Sequence, residues 1–256
     1  MGICAFAFSS NHYHLLLRVE DTRQMSSFLC HFNSNLAREA GRLYGWREKF
    51  WGRRFQAIPI SEEEAAQLER LRYVLAHGCK EGLVERLRDW PGVSAVSALL
   101  EEKPLKGVWF DRTQEYAARR RGEAFDRLRY ASSYSLKLER LPCWTHLSAE
   151  LYRERIGEMV DEIEAQAAAQ RELGGQLAKG PTAIRAQDPH DRPEKLKRSA
   201  APLFHAASRR MRRELYEAYA HFVAAFREAA ERLLAGDRRA AFPAGSFPPA
   251  LPWVGG

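Results

Sequence analysis

The stretch "ICAFAFSSNHYHLLLRV", residues 3–19, decides how the chain begins to fold. Two apolar runs flank "SSN", a pattern typical of a β-hairpin. Alternate side chains of a strand point to the same face, so His12 and His14 are expected to lie side by side. Two imidazoles at that spacing can share one divalent ion and leave coordination positions open. His-x-His alone is a weak signal, and two exposed strand histidines are the alternative.

Composition bounds the class of protein. The 256 residues are 45% hydrophobic and 29% charged, which predicts a globular protein with a sizeable core. No apolar run approaches the length of a membrane span, and "MGICAFAF" lacks the basic leader of a signal peptide. Four scattered cysteines without a C-x-x-C pair indicate neither a zinc ribbon nor a disulfide framework, so a reducing cytoplasm is expected and no membrane partner.

Positive charge is concentrated in one segment. The net charge is +7, and residues 185–213 carry nine Lys or Arg against three Asp or Glu. Such a cluster is the electrostatic pattern expected for binding a phosphate backbone. A basic face that only keeps the chain soluble explains this segment equally well.

Apolar spacing predicts helices alternating with strands. After the hairpin we expect a helix from Thr22 to about Tyr44, a short strand over 51–60, and a helix from the capping-box pattern Ser61-x-x-Glu64 to about His77. Further on, we expect a strand over 133–141 and two helices, one capped by Ser148 and one covering 211–233. The predicted fold class is α+β, with an antiparallel sheet flanked by helices.

The pattern "RLRYVLAHG" places Tyr73 and His77 four residues apart on one helix face, away from a leucine stripe. Together with His12 and His14 they predict one site, with a metal on the histidines and a tyrosine nucleophile; packing of Tyr73 against a second layer is the alternative. The metal would act as a Lewis acid on a phosphodiester. In "KFWGRRF", arginines are expected to pair with phosphates and aromatic rings to stack on bases, unless this is an ordinary strand edge. These residues are Arg53, Arg54, Trp51 and Phe55.

Three blocks in this order over residues 3–97, "FSSNHYHLLLRV", "FWGRRFQAIPI" and "LRYVLAHGCKEGLVERLRDWPGVS", resemble the REP-associated tyrosine transposases. These belong to the single-tyrosine HUH transposases of insertion sequences. The resemblance implies a central antiparallel sheet flanked by helices, with Mg²⁺ or Mn²⁺ on His12 and His14 and His77 at the position of the third ligand. It also implies that Tyr73 attacks single-stranded or hairpin DNA, giving a 5′-phosphotyrosine and a free 3′-OH. We therefore expect DNA as the partner, a nucleoid-associated protein in the cytoplasm, and a homodimer. Asn11 and four further arginines, Arg209, Arg210, Arg212 and Arg213, are also predicted to bind DNA.

The chain departs from the family pattern at three places. Ser9-Ser10 stands where relatives have Met-Pro, and His77-Gly78 stands where they have Asn-Pro. Relatives also carry a strand and a helix before the HUH strand, so the transposase-like domain, residues 1–105, is expected to be N-terminally short. A mainly helical, basic extension is expected over 106–256. The leading hypothesis is a DNA transposase; the alternatives are a truncated DNA-binding remnant without activity and a metal-binding fold without a nucleic-acid role.

Overall fold

A computed structural model describes residues 1–122, 126–191 and 201–249. Part of the basic cluster, residues 192–200, and the Pro-rich end, residues 250–256, therefore lie outside the described residues. Within the described ranges the chain is α+β, with helices and two small antiparallel sheets of two strands each. No helix in these ranges is long and apolar enough to cross a membrane.

The elements follow the chain in an order that separates the two sheets. Strands β1 and β2 form the first sheet, and β3 and β4 form the second. The strands are β1 Gly2–Phe8, β2 Tyr13–Arg18, β3 Leu105–Phe110 and β4 Ala131–Leu136. The helices are α1 Thr22–Tyr44, α2 Glu64–Leu75, α3 Val96–Glu101, α4 Arg112–Arg120, α5 Ala149–Leu173, α6 Pro181–Arg185 and α7 Arg209–Leu234.

The chain divides into two compact units, each made of more than one segment. Unit 1 consists of Met1, Arg18–Glu69 and Pro189–Gly256, and unit 2 consists of Gly2–Leu17 and Arg70–Asp188. Unit 2 contains both residue 105 and residue 106, so its boundaries differ from that of the predicted domains 1–105 and 106–256.

Unit 2 has its core around β1. Five of the seven β1 residues are buried. The end of β1 is also hydrogen-bonded to the segment before α3, where the Phe8 N–H donates to the Val93 carbonyl at 2.9 Å. Helix α5 buries one apolar face, and Ser148 caps its first turn by accepting from the Leu151 N–H. The predicted hairpin and the predicted Ser148 cap are confirmed.

Unit 1 contains the two amphipathic helices expected from apolar spacing. Asp21 caps α1, which ends at Gly45 in the left-handed conformation with φ 63°. Ser208 caps α7 by accepting from the Met211 N–H. Both predicted helices are confirmed, and α1 begins and ends at the predicted residues, Thr22 and Tyr44.

Two local predictions were wrong. Residues 51–60 form no strand; the segment is irregular and has a single isolated bridge, between Ile60 and His205. Its sequence resembles a strand, but the Trp51 side chain bonds instead to the Asn33 carbonyl of α1. The Ser61 capping box does not form either, because the Ser61 hydroxyl donates to Glu63 and the Glu63 carbonyl accepts the first helical bonds of α2.

Candidate metal centre and nucleophile

The hairpin presents two histidines at the start of its second strand. His12 precedes β2 and is exposed, and His14 lies within β2 and is half-buried. Their ring centroids are 5.2 Å apart. The two imidazoles therefore share one side of the strand, as the alternation of strand side chains predicts.

A third histidine comes from the turn that follows α2. His77 is buried, and the helical spacing of Tyr73 and His77 is kept because the Ala76 N–H still donates to the Arg72 carbonyl. Gly78 ends this geometry at φ 97°, where a Cβ would come within 2.8 Å of the Trp90 ring. Only glycine fits there, so the chain turns directly after His77.

The three imidazoles converge on one point. His12 Nε2 and His77 Nε2 are 3.1 Å apart, and the ring centroids of His14 and His77 are 4.3 Å apart. One nitrogen from each of the three rings lies within 4.8 Å of the other two. Imidazole nitrogens that share a zinc-sized ion bind at about 2.1 Å each, so the closest pair already matches a shared ion.

The outer ring nitrogens of His12 and His77 have different surroundings. Asn11 Oδ1 lies 2.6 Å from His12 Nδ1, whereas a Glu81 carboxylate oxygen lies 3.6 Å from His77 Nδ1, which is too far for a hydrogen bond. With hydrogens on both Nδ1 atoms, the two Nε2 lone pairs face each other at 3.1 Å and a cation between them removes the repulsion. A single imidazole-to-imidazole hydrogen bond, with one ring in the other tautomer, is the alternative.

The cluster favours neutral imidazoles. Burial lowers the pKa of His14 to about 4, assisted by the positive charges of His77, His12 and Lys80. Desolvation of the rings by their neighbours in the cluster also lowers the pKa of His12 and of His77, against the opposing effect of the Glu81 carboxylate. A histidine must be deprotonated to bind a metal, so the site keeps its ligands in the binding form at neutral pH.

Tyr73 lies beside the three histidines. Its ring centroid is 5.3 Å from that of His14 and 5.5 Å from that of His77, and 37% of the residue is exposed. Two cations lie over the ring: Lys80 Nζ at 4.0 Å and Arg70 Cζ at 5.2 Å from the centroid. A solvent-accessible tyrosine thus sits between a histidine cluster and positive charge.

Three residues of this site were missed at the sequence level. Arg70 stands three residues before Tyr73 on α2, whereas Lys80 and Glu81 follow Gly78, where the helical geometry has ended. Helical spacing could have indicated Arg70, but charged residues at such positions are common on solvated helix faces, and local spacing does not indicate Lys80 or Glu81. Asn11, which is also predicted to bind DNA, contacts His12 Nδ1 through its side-chain oxygen.

The other predicted DNA-binding residues belong to unit 1. Trp51 is half-buried against Phe50, with ring centroids 4.9 Å apart, and its N–H is used by Asn33. Phe55 is half-buried and Arg53 is exposed. Arg54 is exposed and places its guanidinium over the Phe247 ring at 5.9 Å. The two arginines are accessible to phosphate, whereas the Trp51 ring is already packed.

The four arginines at the start of α7 are exposed. Two of them form helix-surface pairs, Arg210 with Glu214 at 3.5 Å and Arg213 with Glu217 at 3.6 Å, and Arg212 donates to the Ala207 carbonyl. Exposed pairs of this kind contribute little to stability. The arginines therefore remain available to a stronger anionic partner.

No protein-family model, no curated protein and no solved structure matches the chain.

Proposed function

We propose that this protein is a metal-dependent, single-tyrosine DNA nicking and joining enzyme of the HUH transposase type. The observation that carries the proposal is the convergence of His12, His14 and His77 next to an accessible tyrosine, Tyr73. A histidine cluster alone would suit many metalloproteins. Its combination with a tyrosine flanked by cations favours chemistry on a phosphodiester.

The donor set indicates which ion fits. Imidazole nitrogens suit first-row transition metals, whereas Mg²⁺ prefers oxygen ligands. Between the two expected ions, Mn²⁺ therefore fits three imidazoles better than Mg²⁺. When bound, the ion would polarise a phosphate oxygen as a Lewis acid and orient the scissile bond.

In the proposed reaction, Tyr73 Oη forms a bond to phosphorus while the bond from phosphorus to the 3′ oxygen breaks. The tyrosine proton goes to solvent, and the departing 3′ oxygen takes up a proton to become a free 3′-OH. One phosphoester bond replaces another, so the reverse attack by a 3′-OH can rejoin DNA without ATP. Covalent catalysis of this kind requires a base or a cation that assists the hydroxyl.

In the proposal, Lys80 and Arg70 supply such assistance. The Lys80 ammonium lies 4.0 Å from the centroid of the Tyr73 ring, and we expect it to reach a phosphate that the Tyr73 hydroxyl attacks. The added negative charge of the transition state would be stabilised by this fixed cation. Glu81 accepts from the Gly78 N–H and lies 3.5 Å from Lys80 Nζ.

A second candidate is a DNA-binding protein that does not cleave. It is favoured by the exposed arginines of the 51–60 segment and of α7, which bind phosphate without any need for the histidine site. This candidate predicts binding that weakens steeply with salt and leaves the DNA intact.

The test uses a pool of single-stranded oligonucleotides with randomised stem-loops, each labelled at its 3′ end, incubated with the full chain and Mn²⁺. The proposal predicts that the label stays with the protein on a denaturing gel, because the 5′-phosphate side of the break is attached to Tyr73. Tyr73→Phe should abolish this adduct. Tyr116→Phe, which changes an exposed tyrosine of α4, should not.

The outcomes separate the candidates. Salt-dependent binding without an adduct supports the non-cleaving DNA-binding protein. If the wild-type protein binds Mn²⁺ but neither binds DNA nor forms an adduct, the result supports a metal-binding fold without a nucleic-acid role. An adduct that persists in Tyr73→Phe shows that Tyr73 is not the nucleophile.

A further inference from the structure

The buried histidine of the candidate metal centre has one ring nitrogen without a hydrogen bond. His77 Nε2 lies 3.1 Å from His12 Nε2, whereas His77 Nδ1 is buried and has no hydrogen-bond partner among the described residues. The His77 side chain is only 5% exposed, so solvent cannot readily supply the missing bond. A buried polar atom without a partner is unfavourable, and the groups around Nδ1 therefore matter for this site.

The carboxylate of Glu81 lies beside this nitrogen. Its oxygen Oε1 is 3.6 Å from His77 Nδ1 and 3.5 Å from Lys80 Nζ. The other oxygen, Oε2, accepts a hydrogen bond from the Gly78 N–H at 2.8 Å. One oxygen of Glu81 is therefore bound to the backbone next to His77, and the second lies close to the ring nitrogen that has no partner.

The turn after α2 places Glu81 at this position. The Leu83 N–H donates to the Gly78 carbonyl at 2.8 Å, and the Lys80 N–H donates to the Ala76 carbonyl at 3.1 Å. Glu81 lies within this hydrogen-bonded turn, and its side chain reaches back three residues to the Gly78 N–H. A role that is limited to stabilising the turn is the alternative to any role in the metal centre.

A small change in distance would connect Glu81 to His77. A shortening of about half an ångström would bring His77 Nδ1 within hydrogen-bond range of the carboxylate. Histidines that bind a metal through one ring nitrogen commonly donate the N–H of the other nitrogen to a carboxylate or a carbonyl, which fixes the tautomer and makes the ligand more basic. With the proton on Nδ1, the Nε2 lone pair of His77 faces His12, where a shared ion would bind.

We propose that Glu81 is a positioning residue of the metal centre, because its carboxylate favours the His77 tautomer that is protonated on Nδ1 and so keeps Nε2 free to bind a metal ion. This role rests on the proposed function for the presence of the metal, and it requires neither Tyr73 nor DNA. Glu81 acts on the Nδ1 side of the ring, whereas His12 lies on the Nε2 side. Glu81 is therefore not one of the metal ligands.

The variant Glu81→Gln distinguishes this role from a structural one. The glutamine oxygen can still accept from the Gly78 N–H, which preserves the turn, but the NH₂ group then faces His77 Nδ1 and favours the tautomer protonated on Nε2. We expect Glu81→Gln to weaken Mn²⁺ binding about 10–100-fold, measured without DNA by electron paramagnetic resonance of free Mn²⁺. Glu85→Gln, the same change at an exposed glutamate of the same segment, should leave the affinity unchanged.

The tautomer itself is measured in the metal-free protein. Long-range proton–nitrogen NMR spectra of protein labelled with ¹⁵N-histidine show which nitrogen of each neutral ring carries the proton. The His77 signals are identified as those missing from His77→Asn. In the wild type we expect the His77 proton mainly on Nδ1, and in Glu81→Gln we expect a larger fraction on Nε2. The wild-type spectrum tests the proposal even if a variant does not fold.

Three results would overturn the role of Glu81. They are a His77 proton on Nε2 in the wild type, the same tautomer in the wild type and Glu81→Gln, and an equal Mn²⁺ affinity of these two proteins. A weaker affinity without a change of tautomer would show that Glu81 acts through its charge or as a ligand, which falls under the second result.

Failure of the proposed function has a different signature. Mn²⁺ binding that depends on Glu81, in a protein that forms no DNA adduct, would leave the positioning role standing and contradict the proposed reaction. A DNA adduct that the wild type and Glu81→Gln form equally at limiting Mn²⁺ would contradict the role of Glu81 alone.

Discussion

The two sheets in the described part of the chain each have two strands, but they differ in burial. Strand β1 is buried along most of its length. His12 and His14, at the start of β2, lie close to His77 in the turn after α2. Strands β3 and β4 expose nearly all their side chains, including a tryptophan and a tyrosine. Burial in the first sheet fixes the positions of the histidines, whereas most residues of the second sheet remain exposed to solvent.

The difference in burial predicts the largest effect. Phe6 in β1 is 5% exposed and Val108 in β3 is 58% exposed. Phe6→Ala should lower the free energy of unfolding by about 3–5 kcal/mol because it leaves a cavity in the core. Val108→Ala should change it by less than about 1 kcal/mol. Denaturant unfolding followed by circular dichroism measures both, and similar losses for the two variants would contradict the assignment of the core to β1.

Removal of a histidine of the candidate centre should act on metal binding rather than on the fold. His14→Ala should weaken Mn²⁺ binding about 100-fold or more, since one of three ligands is lost. His146→Ala, which changes an exposed histidine elsewhere in unit 2, serves as the matched control. Electron paramagnetic resonance of free Mn²⁺ gives the affinity. Equal Mn²⁺ affinity of the wild type and His14→Ala would show that the three histidines are not the Mn²⁺ site.

A charge near the nucleophile and an exposed charge of the 51–60 segment should have different consequences. Lys80→Gln should slow adduct formation at saturating DNA about tenfold, with little change in affinity, because Lys80 lies over the Tyr73 ring. Arg53→Gln should weaken DNA binding a few-fold and leave the saturated rate unchanged. Single-turnover rates over a range of DNA concentrations distinguish the two. A purely structural Lys80 would leave the saturated rate unchanged.

How far the sequence predicts this molecule differs between the two sheets. Two apolar runs on either side of "SSN" and the His-x-His spacing predict β1, β2 and the side-by-side histidines, and helical spacing predicts that Tyr73 and His77 share a face. Local patterns do not show that β3 pairs with β4, because about twenty residues including α4 separate the strands. The strand predicted over 51–60 is absent for a similar reason, because a strand needs a partner strand that local sequence does not specify.

The smallest predicted effect lies outside both sheets. Hydrogen bonds from the Ser208 and Ser61 side chains, and from the N–H groups of Ala207 and Ser208, lower the pKa of Glu63 from its usual 4.5 to about 2. A lowered pKa in the folded state stabilises the fold above pH 4.5, and this stabilisation is lost as the pH falls toward 2. Glu63→Gln should therefore reduce the loss of stability between pH 5 and pH 3. Thermal unfolding over this range, compared with that of Glu64→Gln at the neighbouring exposed position, measures the effect. Identical acid sensitivity of wild type and Glu63→Gln would contradict this role.

The central claim is that Tyr73, next to the histidine cluster, becomes covalently attached to DNA. Trypsin cleaves after Arg72 and Lys80, so Tyr73 lies in the eight-residue peptide "YVLAHGCK". Mass spectrometry of this peptide, after incubation of the protein with single-stranded DNA and Mn²⁺ followed by nuclease and trypsin digestion, is the most direct test. We expect a nucleotide 5′-phosphate linked to Tyr73, and we expect this modification to be lost in His14→Ala. An unmodified peptide, or a nucleotide on another residue, would contradict it.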